Sequence, residues 1–412
     1  MFTIPLFTFP VFDDKILEKK GGDDMREWFQ ELRNFFRKGD MVLLSLCLIT
    51  SAYSSLIIAS ATNASKFGSS TRYIVIHVVA TLLGLLAYAI MSSINLDFLS
   101  EHRVALAAIN VGMLLLLIPF GTDAGTGNRS WLDFPFLPVN IQPAEICKIF
   151  YIIIMASVMG SRQNRISKFS SVLMMAGHLI LIMGANMVLS RDLGVTLIFV
   201  FIFLGMAFAG GVNLLWFLLG GGMVAAAFPL LWNYYMDDYQ KDRILYILYP
   251  DVIDPKGLEV GWHTSQSLQS LTGGGMLGQG LFDGNRTQAG ALYAQHTDYI
   301  FSTIGEELGY VGCFITIGLL VLIVVRCIWV GNHSSDYMRR MVCFGAASAM
   351  IFQVCINVGM CIGLVPVIGL TLPLFSYGGS SIVTIYAMLG LVSGVHARPA
   401  ATSHERYIRA PR

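Results

Sequence analysis

A chain of 412 residues with 55% hydrophobic and only 13% charged side chains is too apolar to be read as two soluble domains of that total length. Its formal net charge of +1 excludes a bulk electrostatic case for nucleic acid or a strongly acidic partner. The eight histidines show no metal-ligand spacing, and all seven cysteines lie in or beside apolar segments, so neither a metal site nor a disulfide framework is expected.

The chain opens on "MFTIPLFTFPVF". This stretch is apolar but short, carries two prolines and lacks a basic leader, so it does not read as a signal peptide. Residues 13–40 are polar. Within them Met25, Trp28, Phe29, Leu32, Phe35 and Phe36 fall at helical spacing, with Arg26, Glu27, Arg33, Arg37 and Lys38 on the other face. That pattern predicts an amphipathic helix on the cytoplasmic membrane surface, or alternatively a partner-binding helix.

Ten membrane segments follow: 41–62, 73–94, 103–120, 145–160, 171–190, 193–211, 213–235, 301–325, 341–363 and 374–396. The expected fold is therefore an all-α polytopic membrane protein, with a large extracytoplasmic loop between the seventh and eighth helices. The segment at 145–160 is short and is expected to recruit polar residues upstream or to lie against a cavity. Three units result: a cytoplasmic segment 1–40, a membrane domain 41–396 and a cytoplasmic tail 397–412. The connections on the side of the termini carry 18 Lys and Arg, against 8 on the other side. The positive-inside rule then puts both termini in the cytoplasm. The connection 236–300 is long enough to be functional, and short interfacial helices over a cavity are expected there.

Several polar residues stand where apolar ones would be cheaper. Asp298, beside His296 and Thr297, sits at the mouth of the eighth segment. Partial dehydration there raises a carboxylate toward the range of a general base for a sugar hydroxyl. The competing explanation is a helix N-cap. Glu306 and Glu307 lie inside the same segment and must avoid lipid. Glu145 and Lys148, at i,i+3, can form a structural ion pair or line a cavity that holds an anionic lipid. Arg243, Lys241 and Arg129 are either interface anchors or ligands for a diphosphate. Asp192, in the short turn "SRDLG", is either paired or at a cavity mouth. Gly273–Gly278 formally matches G-x-G-x-x-G but follows no strand, so a flexible glycine turn is the better reading. Ser376, Gly378, Gly379, Ser380 and Ser381 suit close helix packing.

Five stretches together resemble one family: "NIQPAEICK" (140–148), "DRILYILYPD" (242–251), "GWHTSQSLQSLTGGGMLGQG" (261–280), "QHTDYIFSTIGEELGYVG" (295–312) and "GLTLPLFSYGGSS" (369–381). In order and spacing they are similar to the bacterial SEDS proteins (shape, elongation, division and sporulation), the RodA/FtsW/SpoVE group. The resemblance covers roughly 41–396. It implies a peptidoglycan glycosyltransferase of the bacterial cytoplasmic membrane that polymerises lipid II at the outer face. A class B penicillin-binding protein, a transpeptidase, is the implied partner, and membrane lipid the surrounding one. Asp298 is then the implied base. Glu145, Lys148, Asp192, Arg243, Gln266, Ser267, His296, Thr297 and Ser376 are the implied substrate-binding residues. The likeness requires no cofactor but admits a divalent cation, Mg2+ or Mn2+, near Asp192. A lipid II flippase and a non-catalytic scaffold for a transpeptidase are the competing functions. Three departures from the family's usual pattern stand out. Tyr293 and Ala294 stand where Pro-Glu is usual, Arg191 replaces a proline before Asp192, and Ser130 rather than Arg precedes Trp131.

Overall fold

The computed structural model describes residues 39–64, 70–122, 129–133, 140–234, 236–292 and 294–398. The amphipathic segment expected at 25–38, Tyr293 and the tail from 399 lie outside these residues.

Ten long helices account for the ten expected spans. They are α1 Met41–Ala61, α2 Ser70–Ser93, α3 Arg103–Phe120, α4 Pro143–Ser161, α5 Phe169–Leu189, α6 Leu193–Ala209, α7 Leu214–Tyr234, α8 Ile300–His333, α9 Tyr337–Cys361 and α10 Gly379–Ala397. Among the described residues, nine are long and apolar enough to cross a membrane, and α6 is a shorter apolar helix. The protein is a multi-pass helical membrane protein. Its strands, among the described residues, are one antiparallel pair just after α3, Gly121–Thr122 with Trp131–Leu132. The connection between α7 and α8 carries the helices Asp238–Leu248, Pro250–Ile253, Trp262–Gly273 and Asn285–Gln288.

The centre of the bundle is α4, packed by α3, α5, α6, α9 and α10. Its run "IFYIIIMASVM" is apolar on every side, the pattern of a helix with no solvent or lipid face, and most of it is buried. As expected, it draws on upstream residues, beginning at Pro143, whose missing N–H costs nothing in the first turn. Helices α2 and α10 approach most closely. A Cβ built on Gly390 would come within 2.5 Å of the Tyr88 carbonyl oxygen, and one on Gly394 within 2.7 Å of that of Ser92. Glycines four apart form one flat face for this contact. Helix α7 is the opposite case: none of its residues is buried. Its first turn is tied down by Trp216, whose Nε1 donates to the Ser167 carbonyl at 2.9 Å.

Helix α8 is broken at Gly309, which takes φ 66°. The break frees the Glu306 and Glu307 carbonyls from their ordinary partners four residues on. Gln279 and Gly280 N–H donate to them instead, at 2.9 and 3.0 Å. In exchange, Tyr310 and Val311 N–H donate to the Gly275 and Met276 carbonyls at 3.0 and 3.2 Å. The glycine-rich segment is thus spliced into the helix rather than a flexible turn. A Cβ on Gly278 would overlap the Glu307 carbonyl, and one on Gly309 would overlap Gly278 N.

The far end of the bundle, where α1 begins and α8 finishes, is closed by ions. Asp40 caps α1 and accepts from Arg326 Nε with both carboxylate oxygens, at 3.1 and 2.9 Å, and Arg326 lies over the Trp329 ring. All seven cysteines are free thiols; six are buried and Cys355 is exposed.

Candidate functional site

Asp298 lies in the turn that leads into α8. Thr297 and Tyr299 N–H both donate to the Ala294 carbonyl at 3.1 Å, which folds the turn locally. The three carbonyls of His296, Thr297 and Asp298 are each taken by a different donor. Tyr377 N–H reaches His296 at 2.8 Å, Ser376 Oγ reaches Thr297 at 2.6 Å, and Asn357 Nδ2 reaches Asp298 at 2.8 Å. The backbone is therefore held from outside, and the side chains are not needed to hold it. The N-cap position of α8 is Tyr299, without a side-chain capping bond, so capping does not explain Asp298. Its carboxylate receives no hydrogen bond from any described residue. Gly369, at φ 68°, lies against it, with a Cβ built there falling 3.7 Å from Oδ2.

Asp192 does cap a helix. Its Oδ1 accepts from Val195 N–H at 3.0 Å, at the start of α6, and its Oδ2 accepts from Gln142 Nε2 at 3.1 Å. Arg191 beside it is exposed and takes φ 56°. Proline, locked near −65°, cannot adopt that conformation, so the departure from the family's usual proline comes with a different turn. The Asp192 charge acts on Asp298. Burial, and then the Asp192 charge, push the Asp298 carboxyl up to about 6. Asp192 is itself raised, by burial first, and then by Glu145 against the opposing pull of the Val195 N–H.

Glu145 and Lys148 form the ion pair that their spacing allows, at 2.7 Å and almost fully buried. Thr384 Oγ1 on α10 donates to the second Glu145 oxygen at 3.1 Å. Arg243 projects from the helix Asp238–Leu248. It donates to the Val367 carbonyl at 3.0 Å and to Tyr239 Oη at 2.8 Å, with its guanidinium 4.5 Å from the Tyr239 ring centre. Burial, and then the Arg243 charge, lower the pKa of His263 nearby.

Other expected site residues are engaged elsewhere. Gln266 Oε1 accepts from the Arg286 guanidinium. Ser267 is fully buried; it bonds Ser302 at 2.5 Å and donates to the Cys361 carbonyl at 2.6 Å, pinning the helix Trp262–Gly273 to α8 and α9. His296 packs its ring against Tyr73 and Tyr377. Thr297 Oγ1 donates to the Ala294 carbonyl at 3.3 Å, and Ser376 is spent on Thr297. Lys241 pairs loosely with Asp238, and Arg129 donates to the Gly121 and Ile118 carbonyls at the end of α3. Glu306 and Glu307 are wholly buried in protein. Glu306 accepts from Arg286 N–H and Thr287 Oγ1, and Glu307 from Ser60 Oγ and Gln288 Nε2. Both acids anchor the long connection. Among the described residues, no three His, Cys, Asp or Glu side chains come together as a metal-binding group.

The sequence profile of the FtsW/RodA/SpoVE family, described as cell cycle proteins, matches residues 40–400. The chain belongs to this family. It is 31% identical over 361 residues to the peptidoglycan glycosyltransferase MrdB of Escherichia coli K12, covering 87% of this chain and 93% of that one. It is 30% identical to a probable peptidoglycan glycosyltransferase FtsW of Trichlorobacter lovleyi, covering 89% and 96%. Among solved structures, a chain from a study of a peptidoglycan synthase complex that coordinates polymerization and crosslinking superposes with a TM-score of 0.72. That match has 27% identity and covers 87% of this chain and 97% of the other. The rod shape determining protein RodA of Thermus thermophilus gives 0.64 at 25% identity, covering 88% and 98%.

In this FtsW/RodA/SpoVE protein, two side chains at the site carry little signal in the sequence. Asn357 is an amide inside an apolar run, one turn after Gln353, and its only mark is the cost of burying it. Tyr73 opens a span and looks like an ordinary interface aromatic.

Proposed function

We propose that this chain is a peptidoglycan glycosyltransferase that joins lipid II units into glycan strands at the outer face of the bacterial cytoplasmic membrane, with both termini inside. The family and the named relatives support the activity. The residue assignment rests on one observation: the carbonyls of His296, Thr297 and Asp298 are held by three outside donors, while the Asp298 carboxylate receives no hydrogen bond from any described residue and is raised to about 6.

A carboxylate of that pKa is largely ionised at neutral pH, yet basic enough to accept a proton from a sugar hydroxyl. As the acceptor oxygen forms its bond to the donor sugar's anomeric carbon, the proton passes to Asp298. The bond to the diphosphate breaks, and the leaving group carries away the electron pair. Negative charge then grows on the diphosphate. Lys148 and Arg243 are the cations assigned to it, with Glu145 fixing Lys148 and Thr384 fixing Glu145. Asp192 is the residue assigned to hold a divalent cation, Mg2+ or Mn2+, which would supply further positive charge for the diphosphate. The remaining candidates, Gln266, Ser267, His296, Thr297 and Ser376, act on substrate through the surfaces they hold in place. The partner is assigned as a class B penicillin-binding protein, whose transpeptidase would crosslink the strands.

Purified wild-type protein with its transpeptidase partner is expected to make long glycan strands from lipid II. Asp298→Ala is expected to make none while remaining folded in the membrane. Full activity in that variant would remove the general-base assignment. Transbilayer movement of lipid II without strand formation would favour a transporter.

A further inference from the structure

Two described polar side chains outside the turn, Ser376 and Asn357, donate to the backbone around Asp298. Asn357 is the deeper of the two, fully buried four residues before the end of α9. Its Nδ2 donates twice, to the Asp298 carbonyl at 2.8 Å and to the Leu370 carbonyl at 2.7 Å. Both amide hydrogens are spent, and both acceptors are carbonyl oxygens, so the orientation of the amide is fixed by its partners. One turn further along α9, Cys361 Sγ lies 3.8 Å from the same Asp298 carbonyl.

Leu370 is not a neutral partner. It follows Gly369, the residue that lies against the Asp298 carboxylate. Three residues before Leu370, the Val367 carbonyl accepts from Arg243. A single amide thus ties the backbone of the acid to the short segment that touches its carboxylate, and that segment is also held by the outer cation. Proton transfer is steep in distance, and a misplacement of about 1 Å costs on the order of 100-fold in rate.

We propose that Asn357 is a positioning residue, which fixes Asp298 and the Val367–Leu370 segment as one unit and so sets the reach of the Asp298 carboxylate toward the acceptor hydroxyl. Asn357 touches no substrate; it acts through Asp298. The proposal rests on the glycosyltransferase reading for its kinetic consequences, but not for its structural one.

The test compares Asn357→Leu and Asn357→Asp with wild type in the full-length chain with its transpeptidase partner. Leucine keeps the branched shape, at a larger volume, and removes both donors. Aspartate keeps the shape, has no donor when ionised, and sets a second carboxylate beside Asp298. Both variants are expected to lose at least tenfold in kcat, with KM for lipid II within about twofold. Asn357→Asp is also expected to move the acid limb of the kcat profile to higher pH. Should Asn357→Leu not fold, the isosteric aspartate carries the test. Unchanged kcat in a folded variant would overturn the proposal. So would a loss matched by the loss of folded protein, with the pH profile unmoved. If the wild type makes no strands, the enzymatic reading fails. Infrared titration of the Asp298 carboxyl, identified by its disappearance in Asp298→Asn, then decides in the uncharged variant: an unchanged midpoint in Asn357→Leu overturns the positioning role, and a shifted one supports it.

Discussion

Gln142 and Asp192 are joined across two connections of the chain, Nε2 to Oδ2 at 3.1 Å, while the other Asp192 oxygen caps α6. Asp192 is therefore a structural residue and a charge near Asp298 at once, and the two roles can be separated. Asn at 192 can still cap, since Asn and Asp are about equal in that position, but it removes the charge that raises Asp298. Asp192→Asn is expected to keep its thermal stability and to shift the acid limb of activity to lower pH. An acid limb that stays in place would show that burial alone sets the Asp298 carboxyl.

The pH behaviour of Asp298 has a definite sign. Its folded pKa, about 6, lies above the ordinary carboxylate value, so the fold disfavours the ionised form. Above that pKa the charged acid subtracts stability, and the loss is recovered as pH falls through about 6 toward the unfolded value. Catalysis runs the other way, because only the ionised acid accepts a proton. Activity is expected to fall as pH drops below about 6. Asp298→Asn is expected to lose at least 100-fold in activity without any loss of melting temperature at pH 8. A variant that melts well below wild type at that pH would contradict the burial argument.

The Glu145–Lys148 pair makes a third test. Removing one member of a buried pair strands the other charge, at a cost of roughly 3–5 kcal/mol, whereas replacing both can be close to neutral. Lys148→Met is expected to be strongly destabilised, and Glu145→Gln with Lys148→Met to recover most of the melting temperature. If the cation serves the diphosphate, the double variant remains inactive although folded. An active double variant would leave the pair a purely structural role.

Two glycines give opposite expectations. Gly278, at φ 81°, is pressed against the Glu307 carbonyl, whereas nothing lies within 4 Å of a Cβ built on Gly221 in α7. Gly278→Ala is expected to cost most of the folded protein, by unseating the segment that completes the hydrogen bonds of α8. Gly221→Ala is expected to be tolerated, with an unchanged melting temperature in detergent. Equal effects at both positions would mean that the splice at Gly309 does not carry the stability assigned to it.

The spans were legible because a bilayer selects first for apolar length, and the ends that differ have local causes. The eighth span continues past 325 to His333 because Arg326, which looks like a membrane boundary, is neutralised by Asp40 and stacked on Trp329. The tenth begins at Gly379 instead of 374, because Leu374, at φ 63°, and Ser376 are spent in the turn that reaches back to Thr297. The acids of the site were legible individually, from the cost of placing charge near lipid. Their division of labour was not. The N-cap reading was weighed for Asp298 and not for Asp192, yet it is Asp192 whose carboxylate caps a helix, and only three-dimensional hydrogen bonding shows this. Gln266 and Ser267 looked available to a ligand because their partners, Arg286, Ser302 and the Cys361 carbonyl, are brought in by the fold.

The distribution of thiols makes the chain its own gauge of integrity. Six sulfurs are shut inside the bundle and Cys355 alone is open. In detergent, a small maleimide should add at most one mass increment per folded molecule, and further increments should count the molecules whose bundle has opened. A single spectroscopic label can therefore be attached on α9, two residues before Asn357, without first stripping the protein of its other cysteines.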